Sequence, residues 1–409
     1  MTRPGLSTHA LAVETTEGGD PAELVPLLDR TDPIAFLQGS DGFIGIGTAV
    51  RLEFSGPHRM TDAAAAWREL TAAARVSDPI ARPGTGLIAF GSFAFSDASA
   101  EPSVLIVPSL VVGRREGRSW ITRIDGGGSA AVRPSPIVHR PVALDPGRMT
   151  PDAYLAAVAA AIGRIRDGAL DKAVLARDLT GRLPAGFDPR ALVDRLAAAY
   201  PECWTYAVDG LIGSSPETLV RVHRGTVTAR VLAGSAGRGR DDAGDLAASD
   251  DLEHSAKNLD EHDYAVQSVL AALREHSDDI AVSRQPFPLR LPNLWHLATD
   301  VSGSLHDDST SLDLIAALHP TAAVAGTPTD AALGLIAELE PFDRGRYAGP
   351  VGWVGADGDG EWAIALRGAA LADGVITALA GGGIVRDSDP ASELAETTMK
   401  FRAVTEALA

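Results

Sequence analysis

Gly381-Gly-Gly-Ile-Val-Arg-Asp-Ser-Asp-Pro-Ala-Ser-Glu-Leu-Ala-Glu-Thr-Thr-Met-Lys-Phe401 changes its residue pattern twice within one short run. It reads as a strand end, a glycine loop and a capped helix. Three glycines let a backbone approach a ligand closely or take positive φ. Asp387, Ser388 and Asp389 are helix-capping residue types, and Pro390 suits a first helical position. The helix then carries Glu393, Glu396 and Lys400, whose spacings of three and four put them on one face. Two carboxylates, a lysine and a glycine loop can together hold a cation and an anionic ligand. The same face can equally be solvated and carry an ordinary ion pair.

Working outward, Gly349–Gly355, Glu361–Leu371 and Gly374–Ala380 read as strands just upstream. Helices are expected at Thr150–Asp167, Arg190–Ala199, Ser255–Glu275, Ser311–Leu318 and Thr329–Leu339. Strands are expected at Lys172–Arg177, Cys203–Val208, Leu219–His223, Gly225–Leu232 and Leu291–Val301. Asp242–Asp250 reads as an acidic loop or a short helix. Between about 31 and 140 the segments are short, β-rich and broken by glycine, with one helix at Thr61–Arg75. In this region Phe43–Phe54 reads as a strand pair or one long strand, and Ser103–Val112 as buried strand. Residues 1–30 show little periodicity and predict a poorly ordered start. Strand clusters interrupted by a few helices predict an α+β architecture with large, mostly antiparallel sheets.

Composition narrows the function. The formal net charge of −18 argues against nucleic acid or an anionic membrane as a partner. No apolar run reaches the roughly 18 residues that span a bilayer, and no secretory signal is expected. One cysteine, Cys203, excludes an internal disulfide framework and fits a reducing cytoplasm.

Several residues stand out chemically. Alternation puts Lys172, Val174 and Ala176 on one strand face, so Lys172 is either an edge lysine or a buried base. Gly213-Ser-Ser-Pro-Glu217 ends in a carboxylate that is either a surface group or a positioned acid. Leu232-Ala-Gly-Ser-Ala-Gly-Arg-Gly239 is glycine-rich but lacks the spacing of a nucleotide loop. A carboxylate of Ser255-Ala-Lys-Asn-Leu-Asp-Glu-His262, combined with those of the C-terminal helix, would make an oxygen-only site suited to Mg²⁺. In Glu361-Trp-Ala-Ile-Ala-Leu-Arg367, Arg367 is either a carboxylate clamp or the ion-pair partner of Glu361. His296 reads by default as a satisfied core histidine.

In order, ten segments resemble the chorismate-utilising enzymes and, within them, the isochorismate synthases. They are Lys172–Arg177, Gly213–Glu217, Leu232–Ser235, Ser255–Lys257 with Glu261-His262, Trp295–Thr299, Leu318–Thr321, Ala325–Pro328, Arg346–Trp353, Gly360–Arg367 and the stretch quoted first. The resemblance implies a single large domain over 31–409, with its motifs in 150–409. It implies two packed antiparallel sheets with helices outside, a chorismate substrate, an isochorismate product, a Mg²⁺ requirement and a monomer. By resemblance, Glu261 and Glu396 would ligate Mg²⁺ with help from Glu393. Tyr347, Arg367 and Gly381 would bind one substrate carboxylate. Gly234, Ser235, His296 and Lys400 would complete the substrate pocket. Lys172 would be the base that activates water at ring carbon 2, and Glu217 the acid that protonates the hydroxyl leaving carbon 4. Lys172 together with Ala233 implies water as nucleophile, because family members that add ammonia lack this lysine or carry a nucleophilic one at the Ala233 position. Salicylate synthase, which goes on to eliminate pyruvate, is the alternative. Isochorismate feeds menaquinone, siderophore and salicylate-derived products. The chain departs from the family pattern at Ser235, which keeps a hydroxyl, at Asp260, and at Asn258 and Gly368, which leave rate and product choice open.

Overall fold

The computed structural model describes residues 10–19, 23–127 and 133–409. Among them, strands form one thirteen-stranded and one ten-stranded sheet. The ladders are antiparallel except where Ala12–Glu17 pairs with Arg75–Ser77. Aromatic side chains from both sheets meet in the core. Phe43 of the first sheet packs edge-on against Phe90 and Trp353 of the second, at 5.6 and 5.1 Å between ring centroids. Burying such rings is the largest apolar contribution a sheet pair can make. Helices cover the outer faces. Leu192 and Leu196 of the helix Pro189–Ala199 join Phe401, Val404 and Leu408 of the helix Pro390–Leu408 against Ile376 and Ala378 of the first sheet. This is the α+β arrangement that the sequence predicts.

The C-terminal helix begins where its capping residues say it should. Asp389 accepts a hydrogen bond from the Ser392 amide at 2.9 Å, and Pro390 takes the first turn. The three glycines before it do not form a loop. They lie inside the strand Val375–Ile384, with Gly381, Gly382 and Gly383 opposite Ala176, Leu175 and Val174 of Lys172–Arg182. Leu232–Gly237 likewise is not a loop but the end of the strand Thr226–Gly237. Gly381–Gly383 is pleated backbone whose missing side chains leave room for others, while the second run carries a bulge at Gly234, φ +76.

Three apparently continuous β segments are split between the two sheets. Asp41–Ile46 is in the first sheet and Val50–Phe54 in the second, joined through Gly47 at φ +64. Ser103–Val107 is in the second and Leu110–Arg115 in the first. Gly360–Ile364 is in the second and Gly368–Ala372 in the first, with Arg367 at φ +51 between them. Alternation therefore fails at Arg367. Its supposed partner Glu361 is buried and instead pairs with Arg115 at 2.9 Å and Arg221 at 3.0 Å.

Two further differences are local. The acidic segment is a full helix, Asp242–His254, separated from Ala256–Leu273 by Ser255, which caps the second helix. Within the stretch 1–30, Ala12–Glu17 is an ordered strand paired on both sides. Its alternation is too short to stand out, and its neighbouring strands supply the order. Residues 1–9 and 20–22 lie outside the described residues. Among those described, no helix is long and apolar enough to cross a membrane.

Candidate active site

The strand pair Lys172–Arg182 and Val375–Ile384 forms one wall of a cavity of about 660 Å³, its mouth included. The strands Thr226–Gly237 and Leu294–Ser304, the helix Ala256–Leu273 and the turn at Pro216-Glu217 close the other sides. Of the twelve residues singled out from the sequence, Glu217, Gly234, Ser235, Glu261, His296, Tyr347, Arg367, Gly381 and Lys400 line this cavity. Lys172, Glu393 and Glu396 stand directly behind its wall.

Lys172 shares its strand face with Val174, which lines the cavity, as alternation requires. It is 0% exposed, so the edge-lysine reading fails. Its Nζ donates to the Glu261 carbonyl at 3.3 Å and lies 3.5 Å from the Glu261 carboxylate. Burial pulls its pKa down, outweighing Glu261 and Glu217, which favour the charged form. Glu217 shows the opposite displacement. Burial lifts its carboxyl from 4.5 to about 8, against the pull of Lys172, Lys400 and Arg367. Burial thus acts on both groups toward their neutral forms, the amine at Lys172 and the acid at Glu217.

The three other glutamates are each matched by a lysine. Besides Lys172 on Glu261, Lys257 meets Glu393 at 2.6 Å and Lys400 meets Glu396 at 2.6 Å. Burial, then the neighbouring Glu396 charge, lifts Glu393 to about 7. Burial also acts to raise Glu396, but Lys400 wins and holds it below its ordinary value. Glu393 Oε2 is buried and has no hydrogen-bond partner. A methyl group on Gly382 would sit 3.0 Å from that oxygen, and one on Gly383 would run into the Glu261 carboxylate. The glycines thus leave the carboxylates their room. An all-oxygen donor set with an unbonded buried oxygen fits a hard divalent cation. Among the described residues, however, no three such side chains converge as a ready-made cage.

A second network runs through the opposite side of the cavity. Arg367 Nη2 donates to His296 Nε2 at 2.7 Å. A guanidinium cannot accept, so His296 is neutral with its proton on Nδ1, which donates to the Gly234 carbonyl at 3.1 Å. Ser235 Oγ lies 3.0 Å from the same nitrogen. Burial and the Arg367 charge drive the His296 pKa well below its ordinary value. His296 thus lines the cavity and holds the arginine, and is not a core histidine remote from it. Lys400 also donates to the Gly381 carbonyl at 2.8 Å. Burial lifts the Tyr347 phenol to about 12, so it stays a hydrogen-bond donor.

The departures now have surroundings. Asn258 packs on Gly234, where a methyl group would meet the Asn258 Cβ at 3.0 Å. Asp260 is exposed. Gly368 leaves no space for a side chain, since one would meet the Ile212 carbonyl and the Tyr206 hydroxyl. Sequence reasoning gave no role to Lys257, although it stands one turn before Glu261 on the same helix. It also gave none to Arg344, a buried cavity-lining residue. Arg344 meets Glu340 at 2.6 Å and donates to the Val174 carbonyl at 2.7 Å and the Val324 carbonyl at 3.0 Å.

The model of the chorismate binding enzyme family matches residues 131–409. A Mycobacterium tuberculosis protein provisionally named isochorismate synthase MenF is 40% identical over 82% of this chain and 90% of its own. Isochorismate synthase DhbC of Bacillus subtilis is 39% identical over 63% of this chain and 68% of its own. The solved structure of a provisionally assigned 2,3-dihydroxybenzoate-specific isochorismate synthase, DhbC from Bacillus anthracis, superposes with a TM-score of 0.78. It is 31% identical and covers 94% of this chain and 98% of its own.

Proposed function

This chain belongs to the chorismate-binding enzymes, and we propose that it is an isochorismate synthase, an isomerase that moves a hydroxyl around the ring of chorismate. One observation carries the reading. Lys172 and Glu217 are both buried at one cavity and are displaced in opposite directions, toward free amine and neutral acid. A reaction that adds water at one carbon and expels hydroxide at another needs that pair. By the family resemblance, Lys172 together with Ala233 makes water the attacking species.

In this reading Lys172 Nζ takes a proton from water as its oxygen bonds to ring carbon 2. The ring double bond shifts, and Glu217 gives its proton to the hydroxyl leaving carbon 4. Water is thus added and lost, and exchange of one proton with solvent resets both groups. Arg367, fixed by His296, holds one substrate carboxylate with Tyr347 and the Gly381 backbone. Gly234 and Ser235 lie along the ring. Glu261 and Glu396, supported by Glu393, would hold Mg²⁺, which supplies positive charge against the other substrate carboxylate. Lys257 holds Glu393 in place, and Lys400 holds Glu396 and favours its ionised form. The isochorismate synthase names of the relatives support the same reaction.

Chromatographic product analysis with purified protein, chorismate and Mg²⁺ tests this. Isochorismate is expected, reversibly, with activity lost in EDTA and restored by Mg²⁺. Free salicylate with pyruvate, or no product under any metal condition, would overturn it.

A further inference from the structure

Arg367 stands in the crossover between the two sheets, where the chain leaves Gly360–Ile364 and enters Gly368–Ala372. Its φ of +51 is a conformation that a side chain with a Cβ adopts only under outside constraint. The neighbouring hairpin supplies that constraint. Tyr206 Oη donates to the Leu366 carbonyl at 2.8 Å, and the Ser214 amide donates to the Arg367 carbonyl at 3.2 Å. The peptides before and after Arg367 are therefore both held from the strands Trp204–Val208 and Leu211–Ser215.

Tyr206 reaches Leu366 because two glycines make way for it. Tyr206, Gly213 and Gly368 lie in one row across three adjacent strands. A methyl group on Gly213 would run into the Tyr206 hydroxyl, and one on Gly368 would come within 2.6 Å of it. Tyr206 is 0% exposed, and its phenol fills the volume these glycines leave. Burial keeps its hydroxyl protonated, so it remains a donor.

We propose that Tyr206 is a positioning residue for substrate recognition: through the Leu366 carbonyl it fixes the direction from which Arg367 enters the cavity. The inference rests on Arg367 being the carboxylate clamp. It also accounts for Gly368, since the space of a side chain there is taken by the phenol.

The test combines Tyr206→Phe, Arg367→Lys and the double variant, with KM and kcat for chorismate, pH profiles and melting curves. Phenylalanine keeps the ring and loses only the hydroxyl. A buried hydrogen bond of ordinary strength predicts a rise in KM of about 3- to 10-fold, with kcat within about twofold. The pH limbs set by Lys172 and Glu217 should not move. In the Arg367→Lys background the second change should have no further effect, because there is no longer a guanidinium to orient. An unchanged KM in Tyr206→Phe, or effects that multiply independently, would overturn the proposal. An unchanged KM in Arg367→Lys would instead remove the clamp itself. Should Tyr206→Phe fold poorly, calorimetry of chorismate binding below its melting transition replaces the KM measurement, and the affinity must fall by the same roughly 3- to 10-fold. An unchanged affinity there would count against the proposal.

Discussion

Replacing Glu217 by glutamine should make the protein less active and, at alkaline pH, more stable. The carboxyl sits at about 8 in the folded chain against an ordinary 4.5, because burial penalises its ionised form. A raised carboxyl stabilises the fold fully only below its unfolded value. That contribution is lost progressively as pH climbs to the folded value and is gone above it. At 1.36 kcal/mol per pH unit the loss between 4.5 and 8 is roughly 5 kcal/mol. Glutamine has the same shape, and nothing in it titrates. With an unfolding entropy of about 2.1 cal/mol/K per residue, a chain this long converts that loss into roughly 5 °C. Melting temperatures of wild type and Glu217→Gln at each unit from pH 5 to pH 9 make the comparison. The variant's advantage should grow by about that amount up to pH 8 and then level off. Turnover should meanwhile fall about 10²- to 10⁴-fold, the usual loss for a missing general acid. A difference in melting temperature that stays flat within about 1 °C across the range would refute the raised carboxyl and, with it, the acid role.

Other perturbations probe different parts of the site. Lys172→Met should lower kcat about 10²- to 10⁴-fold while calorimetry still detects chorismate binding, and undiminished turnover would remove the base assignment. In Gly383→Ala the new methyl group would run into the Glu261 carboxylate and lie 3.0 Å from Lys172 Cε. Turnover should fall about 100-fold with little change in secondary structure by circular dichroism, and near-wild-type rates would show that the two groups need no such placement. Arg344→Met leaves Glu340 buried and unpaired, which should cost about 3–5 kcal/mol in denaturant titrations; a loss below about 1 kcal/mol would mean the pair is dispensable.

Much of this arrangement is legible in the sequence, and the gaps have physical causes. Local periods gave the C-terminal helix, its cap and the strand face shared by Lys172 and Val174, because those depend on neighbours a few residues apart. Alternation says nothing about which sheet a strand joins, so Phe43–Phe54 reads equally as a strand pair or one long strand, and Ser103–Val112 and Glu361–Leu371 read as continuous stretches. The bend at Arg367 has no local signature, since arginine is not a turn residue and its conformation is imposed by Tyr206 and Ser214 from another hairpin. Glycine runs read as loops because glycine permits loops. Here they are strand positions, and Glu393 and Glu261 need Gly382 and Gly383 to carry no side chain. Whether Lys172 guards an edge or is buried could not be read locally, because Glu261 and Gly383 enclose it from afar. Lys257 went without a role because Glu393 reaches it from the C-terminal helix; Arg344 did because, besides the nearby Glu340, its other partners are the distant Val174 and Val324 carbonyls.

The pairing of Lys172–Arg182 with Val375–Ile384 also sets an order in time. The two strands are about 200 residues apart in sequence, and the second arrives with Gly381, Gly382 and Gly383, followed by Glu393, Glu396 and Lys400. On the ribosome these are the last of the site's pieces to emerge. Until then the first strand lacks its partner and the buried lysine lacks the glycine wall that encloses it. A chain cut short before residue 375 would lack one wall of the cavity together with Glu393, Glu396 and Lys400.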